Sequence, residues 1–297
     1  MADAKRAAAR KPDQRPDLAS LGGLVVAVGG ILTGLVLDGG KVLELGQRSA
    51  ALIVFGGTIG AVMLTNSMDV LIRAVRRIGS IFFERNQSPE AVIDEIIGYA
   101  TQARKQGIVS LEQQAAAAHD PFLRKALNLA VDGIDMSQIR NIMELEITLL
   151  EQKGEAESKV FESAGGYAPT VGIVGAVLGL MQVMKNLANI DEVGRGIAAA
   201  FVATVYGVGS ANVFFLPAAN KLRVRMRDAV QIREVMLEGV LAIVEGLNPK
   251  LIRTRLEAYE RQSADAAQKP KPKAKAQAQT QAKAKPGPAG APVSAEG

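Results

Sequence analysis

Charged residues are spread along the whole chain except in four stretches, and those gaps set its architecture. Asp17 and Asp38 enclose 20 uncharged residues, LASLGGLVVAVGGILTGLVL, and Arg48 and Asp69 enclose another 20. Glu162 and Lys185 enclose 22, and Arg195 and Lys221 enclose 25. A hydrocarbon core of about 30 Å takes about 17–25 mostly apolar helical residues. Soluble helices of that length normally carry a polar face. The pattern therefore predicts four transmembrane helices. The first gap outruns the apolar core of a signal peptide, about 7–15 residues, and no small-residue cleavage site follows it. It is expected to remain as an anchor.

Lys and Arg near the helix ends give the orientation. Residues 1–17 hold Lys5, Arg6, Arg10, Lys11 and Arg15, and the second gap is followed by Arg73, Arg76 and Arg77. Lys221, Arg223, Arg225 and Arg227 follow the fourth, whereas the short connection 39–47 holds only Lys41 and 185–195 holds Lys185 and Arg195. Both termini and the long 69–162 connection are expected in the cytoplasm.

That connection has 11 Lys/Arg and 15 Asp/Glu and reads as helical throughout, with no period-two alternation and hence no expected strand. Ser88-Pro89 and Asp120-Pro121 are cap-plus-proline starts. Gly107 is a stop, and Ser110-Leu-Glu-Gln113 matches a capping box. Residues 218–246 continue the fourth membrane helix, with arginines placed to snorkel to headgroups or attract anionic lipid. After Asn248-Pro249, the residues Leu251, Ile252, Leu256 and Tyr259 suggest an amphipathic helix on the membrane surface or on a neighbouring subunit. The fold expected is all-α: a polytopic membrane protein with a helical cytoplasmic domain between its second and third membrane helices. It divides into an N-terminal extension (1–17), two membrane helices (18–68), a cytoplasmic domain (69–162), two further membrane helices (163–220), a helical extension (221–262) and a disordered Lys/Pro/Ala-rich tail (263–297).

Composition narrows the chemistry. The chain has 297 residues, no Cys and one His, so disulfides, Cys-ligated metals, thiol nucleophiles and two-His zinc motifs are excluded. No metal site, cofactor or enzymatic motif is expected. A net charge of +5 suggests nucleic acid at first sight, yet no recognition motif or aromatic platform accompanies it. The tail alone contributes six Lys against Asp265 and Glu296. Within the membrane gaps the pairs Gly30/Gly34, Gly56/Gly60 and Gly175/Gly179 have the spacing of close helix packing. Pro169 and Pro217 each free a backbone carbonyl at similar depth. No gap contains a carboxylate, His, Lys or Arg. Ion carriers usually need an ionisable group in the membrane, so an ion path here needs a partner's carboxylate, or polar groups such as Thr204, Ser210 and Asn212.

Two apolar segments, a helical insertion, then PTVGIVGAVLGL and ATVYGVGSANVFFLPAANKL, together resemble the MotA/PomA family of flagellar stator subunits. RKQGIVSLE at 104–112 and GLNPKLIRTRLEAY are similar to the family's cytoplasmic motifs, and the likeness runs from about residue 20 to 260. The ExbB/TolQ energisers of envelope machines resemble the last membrane pair and imply an alternative function as a proton-channel energiser. The stator resemblance implies a homo-pentamer in the bacterial inner membrane, around a MotB/PomB-like single-span partner whose membrane aspartate carries the ion. On that resemblance Pro169 and Pro217 couple ion passage to movement. Arg104 and Glu112 contact the rotor protein FliG, although each also complements the dipole of its own helix. Thr204 faces the partner aspartate. Ala176 stands where sodium-driven members have a threonine, and the missing hydroxyl favours protons over sodium as the translocated ion. The N-terminal extension and the tail depart from the family pattern.

Overall fold

The computed structural model describes residues 14–85, 88–185 and 187–268. The basic residues Lys5–Lys11 and the tail from 269 onward lie outside them. The elements are α1 (Leu18–Leu37), α2 (Arg48–Thr65), α3 (Met68–Arg77), the single turn α4 (Gly79–Phe82), α5 (Pro89–Gln106), α6 (Glu112–Ala117) and α7 (Pro121–Val131). They are followed by α8 (Met136–Lys185), α9 (Ile190–Ser210), a π turn (Ala211–Phe215), α10 (Leu216–Val244) and α11 (Pro249–Gln268). Among the described residues, four helical runs are long and apolar enough to cross a membrane: α1, α2, α8, and α9 continued through α10.

At 1.5 Å per residue, the 50 residues of α8 span about 75 Å, more than twice a bilayer core. α8 and the α9–α10 run pair antiparallel along their length, so one two-helix stem joins the apolar end to a helical domain. That domain buries Phe122, Leu123 and Leu127 of α7 against Ile93 and Ile96 of α5, Ile139 and Met143 of α8, and Met236 and Val240 of α10. Side chains of this size each stabilise the fold by about 1.5–3 kcal/mol when buried.

The start and stop signals are borne out at three places. Ser88 accepts from the Ala91 N–H at 3.2 Å, Asp120 accepts from Phe122 N–H at 2.8 Å, and Gly107 ends α5 with φ of +81°. The capping box at Ser110 does not form. Residues Ile108–Leu111 make a 3-10 turn, and the Ser110 hydroxyl donates back to the Gly107 carbonyl at 2.6 Å. A strand also exists where none was expected. Gln14–Pro16 (β1) pairs antiparallel with Phe83–Arg85 (β2), and three residues are too few to show an alternating pattern.

The C-terminal helix corrects a second expectation. Ile252 and Leu256 are fully buried and Tyr259 packs beside them on the core shared by α5 and α10. α11 therefore docks on its own chain, because its apolar stripe matches a groove that α10 and α5 leave open. Burial pushes the Tyr259 hydroxyl above its ordinary pKa and raises Glu234 opposite it. The helix runs to Gln268, five residues beyond the start assigned to the tail at 263. The arginines of α10 are likewise not simply turned to lipid: Arg223 bonds Glu162 at 2.7 Å and Arg225 bonds Asp17 at 2.8 Å.

Candidate functional site

The seam between α8 and α9 is built from residues too small to hold the backbones apart. A Cβ on Gly207 would stand 2.5 Å from the Ala168 carbonyl oxygen, and one on Gly179 would stand 2.9 Å from the Ala200 nitrogen. Gly172, Gly175 and Gly196 are similarly crowded. Of the three glycine pairs singled out from spacing, only Gly175/Gly179 meets another helix. Around Gly30, Gly34, Gly56 and Gly60 nothing lies within 4 Å of a Cβ position. In α2 the glycine that contacts α8 is Gly57, against Val171.

α2 occupies one side of this seam. Ile53 and Val54 reach Gly175, and Tyr206 stacks on Phe55 at 5.9 Å while its hydroxyl donates to the Leu45 carbonyl. At 100° per residue, Ala176 and Thr204 each lie about 40° round from the seam glycine or alanine four residues before them, Gly172 and Ala200. In an antiparallel pair these rotations carry both residues to the same side, away from α2. Their levels also match, since Gly172 meets Gly207 and Gly175 meets Ala203. The fold thus brings the two predicted ion-path residues together on one open face, flanked by the exposed Ile173, Leu180, Phe201 and Val208. The Thr204 hydroxyl donates to the Ala200 carbonyl at 3.3 Å, which leaves its oxygen free to accept. Ser210 turns back on its own helix, donating to the Gly207 carbonyl at 3.3 Å, and Asn212 donates to the Val208 carbonyl at 2.9 Å.

Pro169 lies inside α8, and Pro217 lies in the first turn of α10, with only Leu216 between it and the π turn. Neither has an N–H to return to the residue four back, Gly165 or Val213. Gly165 packs against Leu216, so the two freed positions sit at one level of the stem. Around Pro217 the break is absorbed by widening: the Leu216 N–H reaches the Ala211 carbonyl, five residues back. π turns of this kind accommodate an interrupted ladder without breaking the helix.

Arg104 and Glu112 lie far from this seam, either side of the Gly107 turn. Both are exposed, and among the described residues neither makes an ion pair. The turn between them is held by Gln102, which donates to the Ser110 carbonyl at 3.0 Å and accepts from Gln114. Two opposite charges are presented outward from a fixed bend rather than neutralising each other.

Comparison with known proteins decides the family. Residues 114–235 match the model of the MotA/TolQ/ExbB proton channel family, and residues 21–106 match that of the motility protein A N-terminal region. Motility protein A of Bacillus subtilis is 38% identical over 247 residues, 82% of this chain and 90% of that protein. The chain belongs to the MotA family. Chemotaxis protein PomA of Vibrio alginolyticus is 31% identical and aligned over 85% of this chain and 98% of its own. Among solved structures, C. jejuni MotAB matches with a TM-score of 0.78 at 30% identity, over 82% of this chain and 95% of that one. The flagellar MotAB stator complex of Bacillus subtilis matches at 0.76 and 37% identity, over 81% and 95%.

The first family match takes in the whole α8–α9 seam with both prolines, and the second ends within two residues of Arg104. Two features of this MotA-family chain escaped the pattern of charges. Glu157 is buried in α8 between Arg73 at 3.6 Å and Arg77 at 3.1 Å. Asp17 is buried beneath α10. The second had a visible signal, an aspartate three residues before Ser20 at the start of an apolar run, which is an N-cap pattern.

Proposed function

We propose that this chain is the stator subunit of a bacterial flagellar motor, acting with a MotB/PomB-type single-span partner as an ion channel that turns ion-motive force into torque. The observation that carries the reading is the open face of the α8–α9 seam. It offers the Thr204 hydroxyl among apolar side chains and no acid. A bare carboxylate in a membrane is costly and functional, so an ion path along this face is completed by an aspartate from the partner. The MotAB complexes to which the chain is similar support that pairing.

On this reading the chain is a multi-pass inner-membrane protein with both termini and the α3–α7 region in the cytoplasm. Several copies, five by the family resemblance, present their seams to a central partner. Ala176 supplies no oxygen ligand at the level of Thr204, and sodium must exchange its water for oxygens, so the ion is a proton. Passage of the proton changes the charge opposite Thr204. The helices respond where their ladders are already open, at Pro169 and Pro217. The stem carries that movement to the helical domain, and Arg104 and Glu112 on the fixed Gly107 bend engage FliG. Exposed charges facing a complementary surface give attraction and register without a tight static interface.

Expression of the chain with its partner in a host lacking its own stators tests this. Swimming should return, persist in sodium-free medium at unchanged proton-motive force and stop with a protonophore. Glu112→Lys should impair swimming while the assembled complex is recovered in normal amount. An assembled complex that restores no swimming overturns the reading. Swimming that stops on sodium removal overturns the choice of ion.

A further inference from the structure

The base of α1 holds a charged cluster used by neither the ion path nor the Gly107 bend. Asp17 is only 8% exposed. Its carboxylate accepts from the Ser20 N–H at 3.0 Å, from Arg225 at 2.8 Å and from the Lys221 ammonium. Its own N–H donates to the Phe82 carbonyl at 2.8 Å. Arg225 reaches further, donating to the carbonyls of Phe83 and Ile81. One aspartate therefore joins the first turn of α1, the α4–β2 corner and the start of α10, with the β1–β2 pairing alongside.

Among the described residues, little else holds α1. None of its residues is buried, and no other atom lies within 4 Å of a Cβ position at Gly22, Gly23, Gly29, Gly30 or Gly34. A buried carboxylate persists only when its charge and lone pairs are matched, and here two cations and a backbone N–H match it. Those cations stand one turn apart, four and eight residues beyond Pro217. Any tilt of α10 about the π turn moves both of them. We propose that Asp17 is a positioning residue that latches the base of α1 to the part of α10 just beyond Pro217, so that the two helices move as one body. The proposal rests on the stator reading for its swimming readout alone.

Asp17→Asn removes the charge and keeps the shape. Hydrogen exchange on the purified complex should show the amides of Asp17, Ser20 and Leu21 exchanging at least about tenfold faster than in the parent, as loss of a charged hydrogen bond implies. Swimming should slow at unchanged complex level. The chain has no cysteine, so Pro16→Cys with Phe83→Cys, facing residues in the β1–β2 register, can be bridged by a bismaleimide. That bridge should restore swimming to Asp17→Asn cells. If Asp17→Asn lowers the amount of complex, Arg225→Lys is read the same way, since it keeps the charge and loses the reach to Phe83 and Ile81. Unchanged exchange, or normal swimming despite faster exchange, overturns the latch. So does a bridge that restores nothing. A parent chain that supports no swimming would count against the stator reading instead, and the exchange rates would still decide the latch.

Discussion

Gly207→Ala is the sharpest test of the α8–α9 seam. The added Cβ would lie 2.5 Å from the Ala168 carbonyl oxygen and 3.0 Å from the Gly172 Cα, both backbone atoms that cannot rotate aside. Ordinary contact begins near 3.4 Å, so the helices must part by about 0.9 Å locally. A gap of about 0.5–1 Å forfeits about a quarter to a half of each dispersion well it opens. In a bilayer dispersion is a main attraction between helices, and the same seam holds Gly172, Gly175, Gly179 and Gly196. Overpacking of this kind costs about 1–3 kcal/mol, or roughly five- to 150-fold in the packed-to-unpacked ratio. Gly209→Ala is the matched control: no atom lies within 4 Å of its Cβ position. In a helix interior that change alone should be neutral or favourable by up to about 1 kcal/mol. Thermal unfolding of the two variants in detergent or nanodiscs should separate them, Gly207→Ala falling below the parent and Gly209→Ala equal or above. A Gly207→Ala protein as stable as its parent would refute the packing argument, because no flexible side chain is available to absorb the clash.

Four further outcomes follow from single contacts. Pro217→Ala restores an N–H and removes a helix penalty of about 3 kcal/mol, so the complex should be at least as stable while swimming is lost; normal swimming would deny the proline its role. Ala176→Thr places a second hydroxyl beside Thr204, and cells carrying it should swim with a sodium dependence the parent lacks. Leu256→Ala, at a fully buried position of α11, should cost about 2–5 kcal/mol by thermal or denaturant unfolding, whereas Leu251→Ala, 54% exposed, should stay within about 0.5 kcal/mol. The Lys221 ammonium, with the Ser20 N–H and Arg225, holds the Asp17 carboxyl well below its ordinary value of 3.8. A depressed carboxylate contributes its full stability above its unfolded pKa and loses it progressively as pH falls from there through the lower folded one. Exchange protection at Ser20, corrected for intrinsic rate, should therefore stay level from neutral pH to about pH 4. A loss of protection near pH 6 would mean that Asp17 is not ionically held.

The helices were legible because a bilayer imposes a length and forbids charge, and both constraints act residue by residue. Gaps between charges located the four helical runs long and apolar enough to cross a membrane, and Ser88, Gly107 and Asp120 marked boundaries of α5 and α7 through local backbone chemistry. Local signals misled where a competing bond was available nearby. Ser110 had the spacing of a capping box, yet its hydroxyl found the Gly107 carbonyl in a 3-10 turn. The amphipathic stripe of α11 was read correctly as apolar, but an apolar stripe does not say what covers it. The groove between α5 and α10 answered that.

By itself the sequence determined the number and length of the apolar helices, the absence of a membrane carboxylate, and the motifs that resemble the stator family. All of these are properties of composition and spacing along one chain. Only the tertiary structure decided which glycines touch a neighbour, that Thr204 and Ala176 share one open side of the seam, and that Asp17 meets Lys221 and Arg225 more than 200 residues away. The reason is geometric. Three glycine pairs have identical spacing, and a side chain's partner depends on rotation about the helix axis and on antiparallel register, which are fixed only when the helices pack.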